Sequence, residues 1–339
     1  MPWFRLIDTK NQCVFRATDL QSLDKLEYAT LSYVWGNSKD DLKATKETMA
    51  DLEKPGLLSK CYPPSTVIGD AIKVCRELKI DYLWVDRLCI RQDGTDADAH
   101  FAAMSEIYSC SYLTIVALAG EDVHYGLPGI SPNRRRVKLP NTLDIPGLFF
   151  IHMQDNYQDL ANKSYWSSRG WTFQEALLSP KLLLFSESGV FIECCHTNEV
   201  QDEDDGMRIH KGFTEDNNYS LSTAFPQLLN AYTKRQLSFD DDILNAFLGV
   251  LVSKYGNDHY LGVPFREFDK TILWKTRDGE YPPRVSVNGI FPSWSCSSVK
   301  GEIDLLPQSG PLLSLAMWGI PSDDPQRPFH LVDTPSLQC

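Results

Sequence analysis

No stretch of this sequence approaches the roughly 18 consecutive apolar residues that a bilayer-spanning helix needs. Met1-Pro2-Trp3-Phe4-Arg5 also lacks the apolar core of a signal peptide, so the expected location is cytoplasmic. Basic blocks are scarce: Arg134-Arg135-Arg136 is the longest, and 33 Lys plus Arg stand against 45 Asp plus Glu, a net charge of −12. That balance argues against nucleic acid and against an anionic membrane surface as partners. Nine cysteines, an odd number without framework spacing, fit a reducing compartment. There is no C-x-x-C pair, no G-x-x-x-x-G-K-[ST], no G-x-G-x-x-G after a strand, no G-x-S-x-G and no H-E-x-x-H. These absences set aside the familiar nucleotide kinases, dehydrogenases, serine hydrolases and zinc proteases. The triplet Cys194-Cys195-His196 is not read as a metal site, because adjacent cysteines do not easily share one tetrahedral ion and no second ligand pair is near. Cys89, in Leu88-Cys89-Ile90, reads as a buried structural thiol rather than a nucleophile.

What is present is a globular composition. The 339 residues are 42% hydrophobic and 23% charged, which excludes disorder, collagen and coiled coil and suffices for one large or two modest domains. Residues 28–36 form a β-branched and aromatic run closed by Gly36, read as a buried strand. A helical pattern follows, with Val67, Ile68, Ala71, Ile72, Cys75 and Leu78 on one face and Ser65 as candidate N-cap. Tyr82-Leu83-Trp84-Val85-Asp86 is a short strand ending on a carboxylate. Ala97, Phe101, Met104 and Tyr108 recur at helical spacing, and residues 112–118 are a near-continuous apolar strand. This alternation predicts a parallel sheet with right-handed crossovers. A proline-containing stretch over about 120–165 reads as an insertion holding one strand at 148–152. A short helix capped by Ser167 or Ser168 comes next and ends at Pro180, followed by strands at 181–185 and 190–194. The acidic run 201–206 marks the domain boundary, giving domains 1–200 and 201–339. Beyond it, helices are expected at 221–236, at 241–254 capped by the Asp240-Asp241-Asp242 cluster, and at 264–274, before an extended tail.

Four blocks in fixed order carry a family resemblance: Tyr28-Ala29-Thr30-Leu31-Ser32-Tyr33-Val34-Trp35-Gly36, Tyr82-Leu83-Trp84-Val85-Asp86-Arg87-Leu88-Cys89-Ile90-Arg91-Gln92-Asp93, Met104-Ser105-Glu106-Ile107-Tyr108, and Ser168-Arg169-Gly170-Trp171-Thr172-Phe173-Gln174-Glu175. They resemble the successive blocks of the fungal heterokaryon-incompatibility (HET) domain and cover roughly residues 26 to 186. Two positions depart from the family pattern. His100 stands where many members carry an acid, and Arg91 where Asn or Ser often precedes Gln92-Asp93. The order of elements is also similar to a Toll-receptor-type (TIR) domain. The implied fold is α/β: a TIR-like open parallel sheet flanked by helices, with a mainly helical C-terminal part.

In enzymatic TIR domains a Glu one turn into a helix supports cleavage of the nicotinamide glycosidic bond of NAD. The resemblance makes Glu175 the corresponding carboxylate, about two turns from its helix cap and one turn from Trp171. Loss of nicotinamide builds oxocarbenium character on the ribose, which a fixed anion stabilises. Trp35, Tyr33 or Trp171 would stack an aromatic ring, Arg169 or Arg87 would take the pyrophosphate, and Gly36 and Asp86 complete a cleft at the strand ends. NAD enters as substrate, with no cofactor and no metal. Each residue also has a plain alternative: core packing for Trp35 and Trp171, helix capping for Asp86, and for Glu175 a helix surface paired with Arg169 or Lys181. Three functions are open. One is an NAD glycohydrolase of self/non-self or cell-death signalling. Another is a non-enzymatic module that self-associates or binds a signalling partner. The third is an enzyme of fungal specialised metabolism acting on another small molecule.

Overall fold

A computed structural model describes residues 3–20, 26–36, 41–94, 96–130, 142–145, 148–151, 157–194, 208–211, 224–285, 291–305, 319–321 and 329–331. The chain divides into two units, Met1–Ser220 and Leu221–Cys339. The run 201–206, Cys195 and His196 lie outside the described residues.

In the first unit, β1 (Arg5–Asp8) and β2 (Cys13–Arg16) form an antiparallel hairpin. Its turn is fastened by the Asp8 carboxylate, which accepts the Lys10 and Asn11 N–H groups at 2.9 and 2.7 Å. β3 (Tyr28–Ser32) is buried along all five residues. Short helices α1 (Met49–Leu52) and α2 (Leu57–Cys61) lead to α3 (Val67–Glu77), whose apolar stripe buries Val67, Ile68, Ala71, Ile72, Val74 and Cys75. Leu78 falls at the helix end and is exposed. Thr66, not Ser65, caps α3: its hydroxyl accepts the Gly69 N–H at 3.2 Å. A capping residue needs extended backbone, which Thr66 has, whereas Ser65 is held at φ 81° and donates its N–H to Asp70.

β4 (Tyr82–Trp84) runs directly into α4 (Asp86–Cys89), then α5 (Asp96–Ser109) and β5 (Leu113–Ala117). The insertion contains a hairpin, β6 (Thr142–Ile145) with β7 (Leu148–Ile151), and α6 (Tyr157–Lys163). A 3-10 turn at Trp166–Ser168 precedes α7 (Thr172–Leu178), and β8 (Lys181–Ser186), β9 (Gly189–Cys194) and β10 (Arg208–Lys211) finish the unit.

Eight of these strands form one sheet, in the order β10-β9-β8-β5-β3-β4-β1-β2. β8, β5, β3 and β4 are mutually parallel; β9 and β1 join them antiparallel. Strands buried on both faces read as continuous apolar runs, which is why β3 and β5 are so apolar. Counting the parallel strands alone in chain order gives 2-1-3-4, a flavodoxin-like order. The direction of winding reverses between β3 and β5, the place in an open α/β sheet where the carboxyl ends of the strands leave room for a ligand. Cys89 is buried, and burial pushes its thiol up to about 12, as suits a structural residue.

The second unit pairs α8 (Phe225–Thr233) with α9 (Asp242–Tyr255) through a stacked Tyr232–Phe247 contact, ring centres 4.6 Å apart. Small ladders accompany them: β11 (His259–Tyr260) with β12 (Val263–Pro264), β13 (Trp274–Thr276) with β14 (Ile303–Leu305), and β15 (Gly319–Pro321) with β16 (Phe329–Leu331). The single helix expected at 264–274 is instead the end of β12, a 3-10 turn at Phe265–Glu267 and one turn of α10 (Phe268–Thr271). Leu261 and Gly262 at positive φ form the tight turn that turns Pro264 into a strand end. Nor does the acidic cluster cap α9 through a side chain. Asp240 binds Lys300 at 2.7 Å and accepts the Val285 N–H at 3.1 Å.

Candidate functional site

β3 delivers Ser32 to the carboxyl edge of the sheet, where α7 presents Glu175 from its first turn. The Trp166 indole N–H donates to the Ser32 Oγ at 2.7 Å, and the Ser32 hydroxyl donates to the Glu175 Oε2. A serine has one proton to give, and with its oxygen already accepting from Trp166 that proton is committed to the carboxylate. The main chain of the helix is seated as well. Ser179 donates to the Glu175 carbonyl at 2.6 Å, and Thr114 and Thr30 continue this hydroxyl chain across the sheet at 2.5 and 2.6 Å. Glu175 is only 6% exposed. Burial pushes its carboxyl up to about 7; the Ser32 hydrogen bond, the Arg169 guanidinium and the Tyr108 hydroxyl oppose the rise, and the Asp86 charge adds to it.

Asp86 is the second carboxylate. It opens α4 two residues beyond the end of β4; its Oδ1 accepts the Arg87 N–H at 2.6 Å and its Oδ2 accepts the Trp35 indole N–H at 2.7 Å. Burial pushes it up to about 6, against those two hydrogen bonds and the Arg169 and Arg87 charges. The Arg87 guanidinium lies 4.7 Å from the Trp35 ring centre, a cation–π distance. Its Nη1 binds Asp41 at 2.9 Å and its Nη2 donates to the Trp35 carbonyl at 3.3 Å. The same Asp41 meets His124 Nε2 at 3.1 Å. Tyr33 is 4% exposed, and its hydroxyl finds no hydrogen-bond partner among the described residues. Gly36 ends the loop at φ 76°, where an added Cβ would stand 2.5 Å from the Asp122 Cβ, so both conformation and space demand glycine.

Residues 28–175 match the family model for heterokaryon incompatibility protein (HET). This stretch is a HET domain. No curated protein and no solved structure matches the chain. The matched range opens on the first residue of β3 and closes on Glu175, so the HET domain spans both carboxylates, with α4 and the first turn of α7 that carry them.

Within the HET domain, Trp35, Asp86 and Arg87 are in direct contact. Tyr33, Asp86, Arg169 and Glu175 form an electrostatic group: the Arg169 charge acts on each of the other three, and the Asp86 charge acts on Tyr33 and Glu175. Trp171 is half-buried one residue before α7, its carbonyl accepting the Glu175 N–H at 3.4 Å. Glu175 lies one turn into its helix rather than two, because the 3-10 turn at Trp166–Ser168 takes up the residues expected to begin α7. Neither Ser167 nor Ser168 caps that helix; their hydroxyls donate to the carbonyls of Ser164 and Tyr165. The helix-surface alternative for Glu175 is overturned by its burial, and Lys181 sits over the Tyr112 ring instead, 4.5 Å from its centre. Of the two departures from the family pattern, Arg91 leans toward Asp93 at 3.8 Å, while the side chain of His100 lies outside the described residues.

Ser32, Trp166, Tyr108 and Asp41 belong to this site and were not among the residues singled out in the sequence. A signal existed for Ser32. Thr30 and Ser32 are the polar positions of an otherwise apolar strand, two apart and so on one face, where a buried hydroxyl needs a partner. A cleft of about 560 Å³ opens at the carboxyl ends of β5 and β8, lined by Gly120, Asp122, Tyr125, Lys163, Tyr165 and Glu187 among others; Glu175 and Asp86 do not line it.

Proposed function

We propose that this HET domain of heterokaryon-incompatibility type hydrolyses NAD at the nicotinamide–ribose bond, with Glu175 as the key carboxylate. The observation that carries the reading is Glu175 itself: a buried acid with a pKa near neutrality, its orientation fixed by Ser32, at the carboxyl edge of β3 beside the winding reversal. Perturbed, geometrically fixed acids at that place in an open sheet are characteristic of catalytic sites. In the reaction the bond between the ring nitrogen and the ribose C1′ breaks, its electron pair leaves with nicotinamide, and the ribose gains oxocarbenium character. Glu175, ionised, binds ribose hydroxyls and offsets that charge. Water adds to C1′ and releases a proton, giving nicotinamide and ADP-ribose.

Trp35 and Trp171, both half-buried, offer aromatic faces, and Arg169 offers a cation beside both acids. Arg87 is engaged with Asp41 and the Trp35 carbonyl, so its role in this reading is to hold Trp35 rather than to meet phosphate. The test is nicotinamide release from NAD by the full chain at high concentration, with Glu175→Gln as the variant. The expected loss is about 100- to 1,000-fold, the usual cost of removing one preorganised electrostatic stabiliser. The burial of Glu175 behind Ser32 and Tyr108 favours a second reading, a non-enzymatic self-associating signalling module in which the acid only braces α7. Absence of nicotinamide release by the wild type would decide for it.

A further inference from the structure

An isolated hydroxyl in a protein interior is costly, and natural structures keep few of them. Tyr33 is one: nine-tenths buried, without a hydrogen-bond partner among the described residues, two positions before the half-buried Trp35. Asp86 affects the Tyr33 hydroxyl more than any other charged group does, and Asp86 is itself tied to the Trp35 indole at 2.7 Å. The Asp86 oxygens each accept one N–H, and a carboxylate oxygen has capacity for two. The site therefore offers a hydroxyl donor without a partner among the described residues, a carboxylate acceptor with capacity to spare, and an indole held at its N–H edge by Asp86 and backed on one face by Arg87. A flat aromatic ring bearing a primary carboxamide is complementary to all three.

We infer that Tyr33, Asp86 and Trp35 form the pocket for the leaving base, the Tyr33 hydroxyl donating to the carboxamide oxygen, Asp86 accepting from the carboxamide nitrogen, and the ring lying on Trp35. This rests on the NAD reading and adds to it a specificity: nicotinamide is accepted and nicotinate rejected. Nicotinate carries a carboxylate where the carboxamide nitrogen would be, and that charge would oppose Asp86. Burial raises the Tyr33 hydroxyl well above its ordinary range, so it stays a neutral donor wherever the enzyme works.

The test compares base release from NAD and from its nicotinic-acid analogue at pH 8, for wild type and Tyr33→Phe, with melting curves of both proteins. Binding of free nicotinamide and of free nicotinic acid is followed in parallel by saturation-transfer NMR. The wild type is expected to favour NAD over the analogue by about 100-fold or more, as opposed like charges at close range require. Tyr33→Phe should melt at or above the wild type, since it loses a hydroxyl without a partner among the described residues, yet lose roughly 3- to 10-fold in kcat/KM on NAD. Equal cleavage of the two dinucleotides, unchanged kinetics in Tyr33→Phe, or a clearly lower melting temperature of that variant would each overturn the pocket and leave NAD cleavage standing. Should the wild type cleave neither dinucleotide, the NAD reading falls by itself. Nicotinamide binding that disappears in Tyr33→Phe would still sustain the pocket, and absence of nicotinamide binding would end it too.

Discussion

Replacing Glu175 by Gln should reverse sign between acid and alkaline solution in its effect on stability. The folded protein holds the Glu175 proton up to about pH 7, whereas an ordinary glutamate releases it near 4.5. Between those values the folded chain binds more protons than the unfolded chain, so stability contributed by this group is complete below about pH 4.5 and lost as pH rises toward 7. The difference, near 2.5 pH units, corresponds to about 3 kcal/mol at its upper limit. Gln keeps the shape and still accepts from Ser32, yet never ionises, so it avoids that loss. Asp86, whose raised pKa works in the same direction, is present in both proteins and largely cancels. Urea unfolding followed by tryptophan fluorescence at pH 5, 6.5 and 8 measures the comparison. The variant should be equal to or slightly weaker than the wild type at pH 5 and stronger at pH 8, by one to about 3 kcal/mol. Parallel stability profiles, or a wild type that gains on the variant toward pH 8, would refute the burial argument and with it the electrostatic basis of the site.

Ser32→Ala removes a hydrogen bond to the ionised form of Glu175 and strips the Trp166 indole of its acceptor. The acidic limb of the activity profile should move to higher pH, with about 1–3 kcal/mol of stability lost; an unmoved limb would take Ser32 out of the site. Gly36→Ala meets both a positive φ and the Asp122 Cβ, so it should cost about 1–3 kcal/mol. Gly189→Ala also meets a positive φ, 153°, but nothing within 4 Å, so it isolates the backbone strain from the clash, its melting temperature expected to fall by less.

The buried parallel strands were legible because their environment leaves them little choice of residue: Tyr82-Leu83-Trp84 is apolar throughout and residues 113–117 are apolar except at Thr114, and Asp86 stands just beyond the point where such a strand stops. The N-terminal hairpin β1–β2 escaped notice. Its strands are four residues long, too short for a period-two pattern to emerge, and β1 opens on a charged residue, Arg5, that is buried all the same. Helix boundaries were shifted where a backbone angle, not a side chain, decided them, as at Ser65 and at Leu261-Gly262. That Ser32 needs a partner could be read locally, but not which partner it finds. Its value arises when a strand near the start of the chain meets residues 166 and 175, and no pattern within a window of a dozen residues records such a meeting.

That meeting spans 143 positions of chain, and it carries a consequence for the order in which the protein comes together on the ribosome. β3, α3 and β4 can pack while the rest is unmade, but Glu175 has neither shelter nor partner until α7 swings back over β3, and α7 is held down by its successor in the chain, β8, docking in parallel on β5. Until then the acid is an ordinary hydrated glutamate. Its unusual proton affinity is therefore a property acquired late in the folding of the first unit, and a nascent chain stalled before β8 would lack it however complete its HET domain. The length of chain between the two ends is itself a small obstacle to that closure, whose entropic cost rises by only about 0.6 kcal/mol for each doubling of loop length.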